Sequence, residues 1–457
     1  MEAALFYNLV LASLFAVTCG LAYAARPKAT DALPPGFMRF VFTYLSVWGL
    51  ATLGDWMQGP YIYDLYDTYG LSHAEVDGIL VAGFASSGIV GCFIGRLVDR
   101  CGRKAACLVY CVLFMVSCLL MHFKDYWAML TARAVNGLGT SLLFSSFECW
   151  MVSEHTQRHE FSPSLLGFMF GMMYTTMYIT GIASGFIGEL VTGISAFGAW
   201  SDDSSFHTGG AVHAFDAGVV VLALAFALIA LTFHENYGAR GEARAGAPRL
   251  AGSRALEVAL VGVVVALFES SMFVFVSEWF RCITHFDFQP NIGLLFSMFM
   301  MACLCGASTA TLLGDAMRPL RRVALAMSVG LVCFGAAATA MTLPPNSLLG
   351  AISVFAAFLA YEAGVGLYFP STGMLKAEVV PEEIRGTVYN LYRLPLNIIV
   401  CSMLLSGLAS VTKFRILAAF MAVGLACVAG LEAIAARRAC GGAAGGQELS
   451  EYLGEKP

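Results

Sequence analysis

Six ionisable side chains stand deep inside stretches that are otherwise apolar: Asp55, Arg133, Glu148, Glu269, Glu362 and Arg393. A charge at the centre of a bilayer costs about 2.5–3.5 kcal/mol on insertion scales, so each is a functional candidate by default. Two chemistries follow from acids and bases placed this way. They can line a water-accessible path for a polar or charged solute, or they can pair between helices and hold them together. No nucleophile–base set accompanies them, so an enzyme is not expected. The 14 cysteines and 8 histidines show no metal-ligand spacing, and no cofactor is expected. Cys107, Cys111 and Cys118 sit in apolar segments and read as small hydrophobes.

The elements that must position these groups are spanning helices. Of the 457 residues, 58% are hydrophobic and 12% are charged. Ordinary soluble domains carry about 25% charged residues, and a soluble surface could not cover so much apolar sequence. Runs near the 20 or so residues that cross a bilayer recur along the chain. A leading run covers 5–24. It lacks the basic start of a signal peptide, carrying Glu2 there, and is followed by Arg26 and Lys28. It reads as a retained N-out helix, giving a first unit of 1–30. About twelve further spans follow. Six lie near 38–64, 75–95, 105–121, 127–150, 163–190 and 214–233, within a unit of 31–233. Six more lie near 256–280, 290–313, 322–342, 347–370, 386–410 and 414–436, within a unit of 255–438.

Residues 234–254 are polar and rich in Gly, Ala and Arg, and read as a linker. The tail 439–457 reads as disordered. Basic residues cluster in 95–104, in the linker, at Arg318–Arg322 and at Arg437–Arg438, all on one side if the spans alternate. That side is expected to be cytoplasmic, with the extreme N-terminus outside. Lys124, Arg281 and Lys413 are isolated exceptions on the other side. The net charge of -5 offers no surface for nucleic acid. A Gly–acid–basic pattern after span 2 returns after span 8 as GDAMRPLRR, an echo of the kind that marks two related halves.

Gly95-Arg-Leu-Val-Asp99-Arg-Cys-Gly102-Arg103-Lys104 resembles the loop between helices 2 and 3 of the major facilitator superfamily, and Arg133-Ala-Val-Asn136-Gly137-Leu-Gly139-Thr140 resembles its helix-4 motif. More specific strings narrow the likeness: Asp55-Trp-Met-Gln58-Gly-Pro60-Tyr61-Ile-Tyr63, Phe147-Glu148-Cys-Trp150, Phe268-Glu269-Ser270, Phe369-Pro370-Ser371 and Tyr392-Arg393-Leu394-Pro395. Together with the extra leading helix, they resemble the eukaryotic molybdate-anion transporter branch of that superfamily, over most of the chain.

The resemblance implies an all-α membrane protein, two six-helix bundles plus one leading helix, that takes up the molybdate oxyanion across the cell membrane by alternating access. Protons are the candidate coupling ion. In that fold helices 1, 4, 7 and 10 line the central path, with 2, 5, 8 and 11 beside it, and the six charges fall on helices 1, 4, 7, 10 and 11. Matching depths suggest two pairs, Asp55 with Arg133 and Glu362 with Arg393. A tetrahedral oxyanion needs positive charge and hydrogen-bond donors, and an Arg fork supplies both. The candidates for substrate binding or coupling are therefore Asp55, Gln58, Arg133, Asn136, Glu269, Glu362, Asn390 and Arg393. Gly95, Asp99, Gly102 and Arg103 are expected to act in switching, and Glu148 with His155 and Arg158 as a latch. Trp56, Tyr61 and Tyr63 read as an interface belt. Two alternatives stay open: a carrier of another small solute such as a sugar or drug, and a transporter-like sensor that moves none.

Overall fold

The computed structural model describes residues 2–26, 33–201, 204–237, 252–288, 290–381 and 385–453. Within a bilayer every backbone N–H and C=O must be bonded internally, and apolar runs of this length can do so only as helices. The helices are α1 (Glu2–Ala24), α2 (Phe37–Gln58), α3 (Ile62–Thr68), α4 (His73–Cys101), α5 (Arg103–Leu120), α6 (Tyr126–Ser153), α7 (Pro163–Thr192) and α8 (Val212–Thr232). After the linker come α9 (Gly252–Thr284), α10 (Ile292–Leu313), α11 (Pro319–Ala340), α12 (Leu348–Val379), α13 (Arg385–Leu405) and α14 (Ser410–Leu453). Eleven helical stretches among the described residues are long and apolar enough to cross a membrane. Two helices are not among them: α6, which carries Arg133, Asn136 and Glu148, and α13, whose apolar stretch Leu391–Leu405 is shorter.

Two differences from expectation concern the start of the N-terminal bundle. The first core span is broken after Gln58, because Pro60 has no N–H and its ring would meet the carbonyl four residues back. Tyr61 and Tyr63 form no interface belt. Both are buried, Tyr61 against Gly188 and Gly293, and Tyr63 stacked on Phe280. The helix α14 continues to Leu453 through the residues expected to form a disordered tail. Most of the linker, 238–251, falls outside the described residues.

The N-terminal bundle packs α2 on α7 and α8, α5 on α6 and α8, and α4 on α6. The C-terminal bundle packs α10 and α11 on α12, α14 on α9 and α11, and α13 on α9. The seam between them is made by α4 with α13 and by α7 with α10. The helix α1, first in sequence, lies on the C-terminal bundle. The Tyr7 hydroxyl donates to Phe288 O at 2.9 Å, and the Tyr7 ring meets Phe355 edge-on at 5.0 Å.

One end of the molecule carries the linker, and the other carries a two-residue β-hairpin of β1 (Gly198–Ala199) and β2 (His207–Thr208). In the hairpin half a single buried apolar cluster runs through both bundles. In the linker half the N-terminal bundle has its own cluster, with Trp150 stacked on Phe233 at 3.5 Å. The bundles are thus fused by apolar packing at one end only.

His122, in the turn after α5, anchors the hairpin. Its Nε2 faces Asp216 at 3.0 Å and its Nδ1 faces His207 O at 3.0 Å. Both partners are acceptors, so both bonds form only when the ring carries two protons. Burial lowers the tendency of this ring to protonate, but the hydrogen bond and charge of Asp216 and the His207 carbonyl outweigh it, and its pKa is raised. Stability from a raised histidine is complete below its usual value of about 6.5 and is lost as pH climbs through the folded value. Amide protection in 204–210, corrected for intrinsic exchange, is therefore expected to fall above that range. Unchanged protection would remove His122 from this role.

Candidate functional site

In the N-terminal bundle α2 supplies Asp55 and Gln58, and α6 supplies Arg133 and Asn136. The stem of Arg133 runs along Gly83 of α4, where a Cβ would stand 3.0 Å from its Cγ. Gly137 packs so closely on Gly83 and Ser86 that a Cβ there would fall 2.2 Å from the Ser86 hydroxyl. The glycine face of the helix-4 motif is what brings α6 onto α4. The expected Asp55–Arg133 ion pair is not formed. Arg133 Nη1 donates to Asn136 Oδ1 at 3.3 Å instead, because the two lie one turn apart on the same face. The charge of Arg133 still reaches Asp55, Tyr63 and Tyr66. Among the described residues several buried polar atoms nearby have no partner: the Nε2 donor and Oε1 acceptor of Gln58, Asn136 Nδ2 and the Tyr66 hydroxyl. Buried polar groups are nearly always bonded, and exceptions call for a ligand or water.

In the C-terminal bundle the expected Glu362–Arg393 pair is also absent. Glu362 of α12 accepts a hydrogen bond from Cys303 Sγ of α10 at 2.9 Å. Arg393 of α13 acts on Glu269 of α9, as does Lys376 of α12. The backbone positions of Asn390, Gly95 and Asp99 are helical, but their side chains fall outside the described ones. Asn397 of α13 meets α4 at Gly88, where a Cβ would lie 3.0 Å from its Nδ2.

At the linker end Gly102 has φ +107°, a conformation that favours glycine. A Cβ there would also stand 2.5 Å from the Glu235 carboxyl carbon. Glu235 accepts from the backbone N–H of Lys104 at 2.8 Å and of Ala105 at 3.1 Å, capping α5. Arg103 Nη1 donates to Cys149 O at 3.2 Å, tying the loop to α6. Glu148 makes no latch with His155 or Arg158. It lines a crevice with Trp48, Phe144, Met173 and Tyr174. Arg158 pairs with Glu154 at 3.0 Å, and Asn236 Nδ2 also donates to Glu154 at 3.2 Å. A π-helical turn at Glu154–Arg158 rotates His155 away, among the rings of Phe37, Phe40 and Phe161.

At the hairpin end sits a chain of charges that sequence reasoning missed. Lys413 Nζ of α14 donates to Glu278 Oε1 at 2.7 Å, and Ser410 Oγ to its Oε2 at 2.6 Å. Arg281 contacts Glu278 at 3.3 Å and crosses the seam to Asp77 of α4 at 2.9 Å. The signal was available: Arg281 and Lys413 were exceptions to the basic-side pattern, and each is explained by a buried acid. Two further bonds tie the seam at this end, Asn291 Nδ2 to Glu189 at 2.7 Å and Ser297 Oγ to Ile182 O at 2.9 Å.

Two helical bundles meeting at a seam, with intramembrane charges and unpartnered donors on the helices beside it, define a multi-pass membrane transporter. Solved structures with the same fold include a peptide transporter in complex with sulfate, at TM-score 0.67 and 14% identity over 92% of this chain and 98% of that one. A D-xylose–proton symporter matches at TM-score 0.64 and 14% identity, over 86% and 97%. Residues 6–362 match the family described as sugar transporters with 12 transmembrane spans. Among curated relatives, the molybdate-anion transporter of Xenopus tropicalis is 30% identical over 87% of this chain and 86% of its own length. That of Danio rerio is 29% identical over 84% and 82%. The chain belongs to this major facilitator family of transporters, in the branch of the molybdate-anion transporters.

Proposed function

We propose that this protein takes up molybdate across the cell membrane by alternating access, with protons as the coupling ion and with the linker and C-terminus in the cytoplasm. The observation that carries the substrate is the 30% identity, over most of both chains, to a protein named as a molybdate-anion transporter. The site is chemically suited to it. Arg133, Asn136 and Gln58 on one bundle, and Arg393 on the other, bring positive charge and donors to the seam, where a tetrahedral oxyanion would accept them. Asp55 and Asn390 lie on the same helices as Gln58 and Arg393, and with Glu362 of α12 they complete the candidate set.

Alternating access is supported by the one-sided closure of the molecule. An ion pair, a hydrogen bond and apolar packing join the bundles in the hairpin half. In the linker half Phe144, Tyr174, Phe369 and Met374 stay exposed. With the basic loops on the cytoplasmic side, this is an inward-facing form. Gly95, Asp99, Gly102, Arg103 and Glu148 then lie at the end that must close. Purified protein in liposomes is expected to accumulate molybdate, faster when the outside is acidic. Glu269→Gln is expected to abolish that pH response. No uptake with or without a proton gradient would sink the reading. The family's description and the xylose symporter fold favour one competitor, a sugar carrier; suppression of uptake by sulfate or tungstate but not by sugars would exclude it.

A further inference from the structure

We propose that Lys376 is the second cation of an oxyanion site in the C-terminal bundle, built with Arg393, Tyr368 and Thr372, and that Glu269 takes up one proton for each dianion bound. The proposal rests on the reading of this chain as an oxyanion carrier.

Tyr368, Thr372 and Lys376 stand on successive turns of α12, so they share one face. Helical side chains lean towards the N-terminus, which directs the long Lys376 stem back towards Thr372. Tyr389 and Arg393 stand on successive turns of α13, and Lys376 Nζ lies 5.0 Å over the Tyr389 ring. Tyr368 stacks on Phe268 at 3.7 Å and so stands beside Glu269. The titratable and charged groups acting on Glu269 are Lys376 and Tyr368 from α12 and Arg393 from α13.

Two features point to a missing ligand. The Tyr368 and Thr372 residues are buried, at 0% and 1% exposure; the Tyr368 hydroxyl turns towards Thr372 and Glu269, yet among the described residues neither hydroxyl closes a hydrogen bond of 3.5 Å or less. The charged groups also fail to close on each other: among the described residues neither cation comes within 4.0 Å of Glu269, although both act on it. Two cations and two hydroxyl donors match a tetrahedral anion with four acceptor oxygens.

The charge count then fixes the proton. With Glu269 ionised the cluster carries two positive charges and one negative, a net of +1. A dianion would bring it to -1, and a proton on Glu269 returns it to zero. An ionised Glu269 would repel a dianion held by the same two cations, and a like charge this near favours its protonated form. The proton comes from the solution that delivers the anion and leaves with it on the other side.

Calorimetry of the purified full chain in lipid nanodiscs, with molybdate and with sulfate and in two buffers of different protonation enthalpy, tests this. Wild type is expected to take up close to one proton per dianion. Lys376→Gln is expected to weaken binding by about 10- to 100-fold, the size of one charged hydrogen bond. Lys376→Arg should restore most of it, which a merely structural lysine would not require. Glu269→Gln should still bind the dianion, with no proton uptake. Unchanged affinity in Lys376→Gln, or undiminished proton uptake in Glu269→Gln, overturns the proposal. If Lys376→Gln does not fold, Lys376→Met and the Glu269→Gln proton count decide it. Binding of sulfate but not molybdate would leave this site standing and overturn the molybdate reading. Binding of neither overturns both.

Discussion

Replacing Glu278 by alanine is expected to cost about 3–5 kcal/mol of stability, and adding Lys413→Met to the same chain is expected to return most of it. The reason is the burial of the pair. Lys413 and Glu278 are each 1% exposed, and Glu278 is the acid that meets the Lys413 ammonium, at 2.7 Å. Removing the acid leaves an ammonium with no counter-charge in an apolar setting. Removing both leaves only a packing defect, because replacing a buried pair by apolar groups is often close to neutral. Glu278 also orients Arg281, whose other contact, with Asp77, crosses the seam. The single variant should therefore loosen the hairpin end as well. Thermal unfolding of the three variants in detergent measures the effect. If the double variant is as unstable as the sum of the singles, the two residues are not coupled and the account fails.

The second large effect concerns backbone, not charge. Gly306 of α10 and Gly366 of α12 face each other's helices. A Cβ on Gly306 would fall 1.9 Å from Ala363 O, and one on Gly366 would fall 1.9 Å from Cys303 O. Small residues let membrane helices approach until their backbones touch, and no side chain can yield here because the opposing atom is a carbonyl. Moving α12 would also displace Glu362 and the face that carries Tyr368 and Thr372. Gly366→Val is expected to remove the monodisperse peak in size-exclusion chromatography. Gly335→Val, at a position of α11 with open space around it, should leave it intact. Equal yields of the two would show that α10 and α12 tolerate separation.

Much of the fold was legible before any coordinates. Apolar runs of bilayer length have one solution, the helix, so the spans and their order followed from composition alone. The glycine-rich motifs at Gly102 and Gly137 were legible for a related reason. Gly102 holds a φ of +107° that other residues rarely adopt, and a Cβ on Gly137 would fall 2.3 Å from the Gly83 carbonyl oxygen. The break at Pro60 was equally visible in the string and was overlooked, because hydropathy does not register a missing N–H.

The candidate site divides differently. Charges inside spans are conspicuous, so Asp55, Arg133, Glu269, Glu362 and Arg393 stood out at once. Their partners did not. Depth along a helix places a residue in height but not in rotation, and the pairs inferred from depth alone were not formed: Arg133 turns to Asn136 and Glu362 to Cys303. Tyr368 and Thr372 carry no charge and gave no signal; their interest lies in lacking a partner, which only packing reveals. Lys376 lies beyond the span expected at 347–370 and was not among the candidates.

The six charges with which the sequence stood out were determined by the chain itself, as was the need for helices to bury them, since hydrocarbon tolerates neither bare backbone nor bare charge. Which acid meets which base was decided only by tertiary structure. That depends on how each helix turns about its axis, and the turn is set by glycines and aromatic rings packing on neighbouring helices rather than by the charged residues.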